Sequence, residues 1–78
     1  MTRTDFVRAL EEIFGLERRS IREDSTRESI EEWTSLADVQ IFSLIESEFA
    51  IEPDEELITA ETVGDLLQIL QNRGAFHE

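Results

Sequence analysis

Between residues 35 and 49, apolar side chains recur at steps of three and four: Leu36, Val39, Phe42, Ile45 and Phe49. That spacing winds all five onto one stripe of an α-helix, so the rest of the chain must supply other apolar surfaces to cover it. Ser35 and Asp38 fit the capping-box pattern, in which a Ser or Thr and an acidic residue three positions on satisfy exposed backbone N–H groups at a helix start. The spacing predicts a helix from Ser35 to about Glu48, with Ser35 as its N-cap. Its outward face carries Asp38, Gln40, Ser43, Glu46 and Ser47. Ile41 and Leu44 lie off the main stripe, so at least one of them is expected to be partly exposed. Exposed apolar residues beside acidic ones suit a partner-docking surface, although incomplete burial in a small domain gives the same pattern.

The partners for that stripe come from both sides. Thr4 followed by Asp5 opens a first helix to Phe14, carried by Phe6, Val7, Leu10, Ile13 and Phe14 and ended by Gly15, which is free to take positive φ. From Leu16 to Thr34 periodicity fades and charge dominates. A loop of that length must be pinned to the core, and Leu16, Ile21, Ile30 and Trp33 are the residues that can do so, with Ile21 and Ile30 as the main plugs. A short turn is expected around Thr26 to Ile30. Trp33 is read as burying the loop's end against the first helix rather than touching a ligand, and its indole N–H then needs an acceptor. Pro53 biases Glu52 away from helical dihedrals and suits the first position of a short turn through Leu57. Ile58 to Ala60 reads as a linker. Thr62 caps a last helix on Val63, Leu66, Leu67 and Leu70, with Ile69 beside the stripe; Gly64 weakens its first turn and Gly74 ends it. The tail from Gly74, with His77 the only histidine, reads as mobile. No segment alternates like a strand, so the expectation is one all-α domain over residues 1–78, a small three-to-four-helix bundle with a long first loop.

Charge divides the chain. Its 78 residues hold seven basic and nineteen acidic side chains, a net charge of −12, and every basic residue is arginine. Arg3, Arg8, Arg18, Arg19, Arg22 and Arg27 lie in residues 1–27 and balance the acids there; only Arg73 stands against the acids of residues 28–78. Such a field repels nucleic-acid phosphates and anionic lipid heads and steers association with basic protein surfaces, while also serving solubility. There is no cysteine, hence no disulfide framework or thiolate metal site. The N-terminal residues lack the apolar core of a signal peptide, and no apolar run is long enough to span a membrane, so a soluble, cytoplasmic protein is expected. With no Cys, Lys or internal His there is no evident base or nucleophile pair, and Asp54-Glu55-Glu56 lacks the glycine and alternating oxygens of an EF-hand loop. An enzyme is not expected.

The run Ser29-Ile30-Glu31-Glu32-Trp33-Thr34-Ser35-Leu36 resembles the approach to the phosphopantetheine site of acyl carrier proteins, where Asp-Ser-Leu, often preceded by Trp, opens the second helix. The resemblance continues through Val39, Phe42, Ile45, Glu46, Glu48 and Phe49 to Pro53-Asp54-Glu55-Glu56. It ends in Glu61-Thr62-Val63-Gly64-Asp65-Leu66, which is similar to the start of that family's last helix, so it covers nearly the whole chain. One departure stands at the site itself: the family's Asp before the serine is Thr34 here. The resemblance implies a bundle of acyl-carrier type with 4′-phosphopantetheine joined through a phosphodiester to the Ser35 hydroxyl. The arm's thiol would carry an acyl or related carboxylate cargo, of the kind handled in fatty acid or polyketide biosynthesis, as a thioester. It further implies a monomer that docks a phosphopantetheinyl transferase and acyl-handling enzymes with basic surfaces, through Asp38, Glu46, Glu48 and Asp54. Nucleic acid and membrane insertion are not expected. In the family the acyl chain can lie among the helices, which would favour a loose core around Phe42, Ile45 and Leu57. The alternative class is an unmodified acidic interaction module that keeps the fold. It rests on Thr34, which lacks the carboxylate offered to the magnesium-bearing transferase and for which Asp38 and Glu32 could compensate in part.

Overall fold

A computed structural model describes residues 1–76, and in it the chain is all-α: α1 (Arg3–Phe14), α2 (Ser35–Phe49), α3 (Glu55–Ile58) and α4 (Val63–Asn72). Among the described residues no segment forms a strand; one isolated antiparallel bridge joins Thr26 to Thr62. Among the described residues no helix is long and apolar enough to cross a membrane.

Each helix begins where a short polar side chain can replace a missing intrahelical partner. For α1 that residue is Thr2, two positions before the expected Thr4. Thr2 Oγ1 accepts from Asp5 N at 3.1 Å and Asp5 Oδ2 accepts from Thr2 N, a capping box that starts the helix ahead of the expected Thr4. Gly15 closes α1 in the left-handed region at φ 72°, as expected. For α3 the cap is Asp54, accepting from Leu57 N at 3.2 Å, so Pro53 stands outside the helix instead of opening it. Thr62 caps α4 as expected.

The core gathers Phe6, Leu10 and Phe14 of α1, Ala37, Ile41 and Ile45 of α2, Leu57 of α3, and Val63, Leu66, Leu67 and Leu70 of α4. The buried face of α2 is therefore not the expected stripe. Ile41 is 1% exposed, whereas Leu36 and Val39 are 68% and 60% exposed. Apolar residues occupy nearly every side of this helix, so spacing alone admits more than one stripe. In the C-terminal tail Ala75 is buried, and the Phe76 ring lies 5.9 Å from Phe6 and 5.6 Å from Phe49, forming an aromatic triad with α1 and α2. His77 lies outside the described residues.

The long first loop is pinned as the sequence suggested. Ile21, Ile30 and Trp33 are buried, each worth about 1.5–3 kcal/mol, and Trp33 packs on Phe14 at 5.6 Å between ring centroids. The expected turn forms at 26–30, where Ser29 N and Ile30 N both donate to the Thr26 carbonyl. The loop also caps α4: Val63 N donates to the Ser25 carbonyl at 3.0 Å and Gly64 N to that of Glu23 at 2.7 Å. Gly64 is thus a requirement rather than a weakness, because a Cβ there would sit 2.8 Å from the Glu23 carbonyl oxygen. Helix propensity alone makes Gly64→Ala stabilising by about 1 kcal/mol. The backbone clash reverses the sign, and a net loss of about 1–2 kcal/mol is expected in urea unfolding. A more stable Gly64→Ala protein would mean that the loop does not lie against α4.

Candidate functional site

The site is built at the first turn of α2. Thr34, in extended conformation, is the N-cap; its side chain accepts from Ala37 N at 3.3 Å and its carbonyl from Asp38 N at 3.0 Å. Ser35 is therefore the first helical residue and not the cap, and the expected Ser35–Asp38 capping box does not form. The difference matters chemically. A capping hydroxyl is turned onto the backbone, whereas Ser35 is exposed and, among the described residues, its hydroxyl has no protein partner. It lies at the positive end of a 15-residue helix.

Asp38, expected on the outward face, is instead drawn into the fold. Its side chain is 24% exposed and accepts three hydrogen bonds. Arg27 Nη1 reaches both carboxylate oxygens, at 2.9 and 2.8 Å, and Trp33 Nε1 donates to Oδ1 at 2.8 Å. The acceptor that the buried indole required is thus Asp38. The Arg27 guanidinium also lies 4.6 Å from the Trp33 ring centroid, and it donates from Nε to the Ala60 carbonyl at 3.1 Å and from Nη2 to that of Ile58 at 3.3 Å. One arginine therefore ties the loop, the first turn of α2 and the α3–α4 connection together behind Ser35. Sequence reasoning missed it, since a lone Arg in a charged loop reads as solvated.

The other expected docking residues divide. Glu46 and Glu48 are exposed on α2. Asp54 is exposed too, but it caps α3 and pairs with Arg73 at 2.6 Å. The Leu57 N–H, and then the Arg73 guanidinium, hold its carboxyl below the ordinary Asp value. Leu36, Val39 and Ile58 are the large hydrophobic residues left exposed, and two of them flank Ser35 on α2. In the region expected to be loose, Ile45 and Leu57 are fully buried and Phe42 partly so. Two cavities lie along α1.

Searches of this chain against protein-family models, curated proteins and solved structures returned no match in any of the three.

Proposed function

We propose that this protein is a carrier of the acyl-carrier type, bearing 4′-phosphopantetheine on Ser35 and presenting an acyl or related carboxylate cargo to partner enzymes. The observation that carries the reading is the unpartnered, exposed Ser35 hydroxyl on the first turn of α2, within the run that resembles the family's attachment motif. The residues present suit that group. The Ser35 Oγ is open to solvent, and a phosphate joined to it meets the positive end of the α2 dipole. When bound, the group supplies a thiol on a flexible arm that holds cargo as a thioester. The chain's own part is to hold Ser35 at a rigid corner and to offer surface for docking. Leu36 and Val39 give the apolar contact beside the serine, and Glu46 and Glu48 give charge for basic partners. Asp38 and Asp54 serve mainly to hold the fold.

The same geometry gives the second reading, an unmodified acidic interaction module, its one specific support. Thr34 replaces the capping role of an Asp but not its charge. Asp38 cannot stand in for that charge, because Arg27 and Trp33 already hold its carboxylate. Glu32 remains exposed and able to contribute.

Mass spectrometry after incubation with coenzyme A, magnesium and a broad-specificity phosphopantetheinyl transferase separates the two. One phosphopantetheinyl mass is expected on the wild type and none on Ser35→Ala. Ser29→Ala and Ser43→Ala should be modified normally, since Ser29 is held in the turn by Thr26 and Ser43 lies in the middle of α2. Thr34→Asp should raise the rate about tenfold, the effect of one well-placed charge contact. If both the wild type and Thr34→Asp stay unmodified by several transferases, the carrier reading fails.

A further inference from the structure

In a chain of net charge −12, four arginines make no ion pair among the described residues: Arg8, Arg18, Arg19 and Arg22. Three of them line one cavity of about 320 Å³ with Thr4, Val7 and Glu11, on the α1 side of the molecule. The cavity is shaped by a buried charge. Glu11 is 2% exposed, and its carboxylate accepts from Ser20 N at 2.9 Å and Ile21 N at 3.4 Å. That carboxylate folds the 17–20 turn back over α1 and so brings Arg18 and Arg19 to the same opening as Arg8. Arg19 pays for its position, with φ at +66°, a left-handed conformation that costs a side-chain-bearing residue about 1–2 kcal/mol. A glycine would hold the turn without that cost.

We infer that the cavity between α1 and the 17–20 turn is an anion site for a phosphate dianion, such as the head of a phosphomonoester, gripped by Arg8, Arg18 and Arg19. Three guanidinium groups against one inward carboxylate leave the opening with two net positive charges, which a dianion neutralises. Guanidinium forks match phosphate oxygens in geometry as well as charge. A second cavity of about 320 Å³ shares Thr4 and Val7 with this one and is lined by apolar Ile21, Val63 and Leu67 together with Arg3, Arg22 and Glu23. An apolar body attached to the phosphate has room there. The site is independent of Ser35 and of the carrier reading.

The test is titration of the isotope-labelled protein with inorganic phosphate at constant ionic strength, read from the backbone amide signals of residues 18–21. Saturable shifts are expected with a Kd on the order of 1 mM, and matched chloride should cause none. Arg8→Gln, a change at an exposed residue, should weaken binding about tenfold. Arg22→Gln, which alters the lining of the adjoining cavity but not of this one, should change inorganic phosphate binding less than about twofold. Arg19→Gly should raise the melting temperature by a few degrees while weakening phosphate binding, which a merely structural turn would not do. Shifts that do not saturate, an unaltered Arg8→Gln protein, or equal loss in Arg22→Gln would each overturn the assignment.

Discussion

Replacing Phe6 by alanine is expected to lower the unfolding free energy by about 3–5 kcal/mol, the cost of a large cavity in a close-packed core. Phe6 is fully buried at the crossing of α1, α2 and the C-terminal tail, with Phe49 and Phe76 each 5.9 Å away between ring centroids. A domain of 78 residues has a total stability of only about 4–12 kcal/mol, so this one truncation brings the protein near its unfolding threshold. The midpoint of urea unfolding should fall sharply with the slope unchanged. Phe76→Ala should cost less, about 1–2 kcal/mol, because that ring is only partly buried. The pair of variants tests the tail as well as the core. If Phe76→Ala matched the wild type, Phe76 would not belong to the triad, and a Phe6→Ala loss under about 1.5 kcal/mol would mean that the triad does not form.

Approximate helix positions were legible because they rest on local signals. Apolar spacing and single polar caps, such as Thr62 before Val63, need only neighbouring residues. The rotation of α2 was not legible. Leu36, Val39, Ile41, Phe42, Leu44 and Ile45 surround the helix, and what selects Ala37, Ile41 and Ile45 for burial lies elsewhere in the chain. Arg27 is 11 residues from Asp38 and 33 from Ala60, and its three kinds of contact leave no periodic trace. Glu11 was hidden for a similar reason. A glutamate in an exposed-looking helix position reads as solvated, and only the returning amides of Ser20 and Ile21 make its burial possible. Gly64 was visible but misjudged, since local propensity cannot register the Glu23 carbonyl lying against it. At the candidate site, the sequence pointed to Ser35 through its flanks, while the fold shifted the cap to Thr34 and so left the serine hydroxyl free.

The contacts of Arg27 set the second large expectation. Arg27→Met keeps an unbranched apolar stem but removes the guanidinium, and should destabilise the protein by about 2–4 kcal/mol. The largely buried pair with Asp38 contributes part, since both side chains are under a quarter exposed and losing one partner strands the other's charge. The Ile58 and Ala60 carbonyls lose their donors, at about 1 kcal/mol each where water does not replace it. The cation–π contact with Trp33 adds about 0.5–1 kcal/mol. These terms overlap, so the total is less than their sum. Asp38→Asn isolates the ionic part: its amide oxygen can still accept from Trp33 Nε1, and the loss should be about 1–2 kcal/mol. In the double variant the coupling between residues 27 and 38 should be about 1–2 kcal/mol, and it should shrink only modestly in high salt because the pair is shielded from solvent. Hydrogen exchange should locate the damage, with faster exchange at Ala37 and Asp38 in the first turn of α2 and at Val63 and Gly64, where the loop caps α4. If coupling is near zero while Arg27→Met still destabilises, the carbonyl contacts to the α3–α4 connection are what hold the corner. If Arg27→Met is neutral, the corner that presents Ser35 is fixed by Trp33 and the Thr34 cap alone.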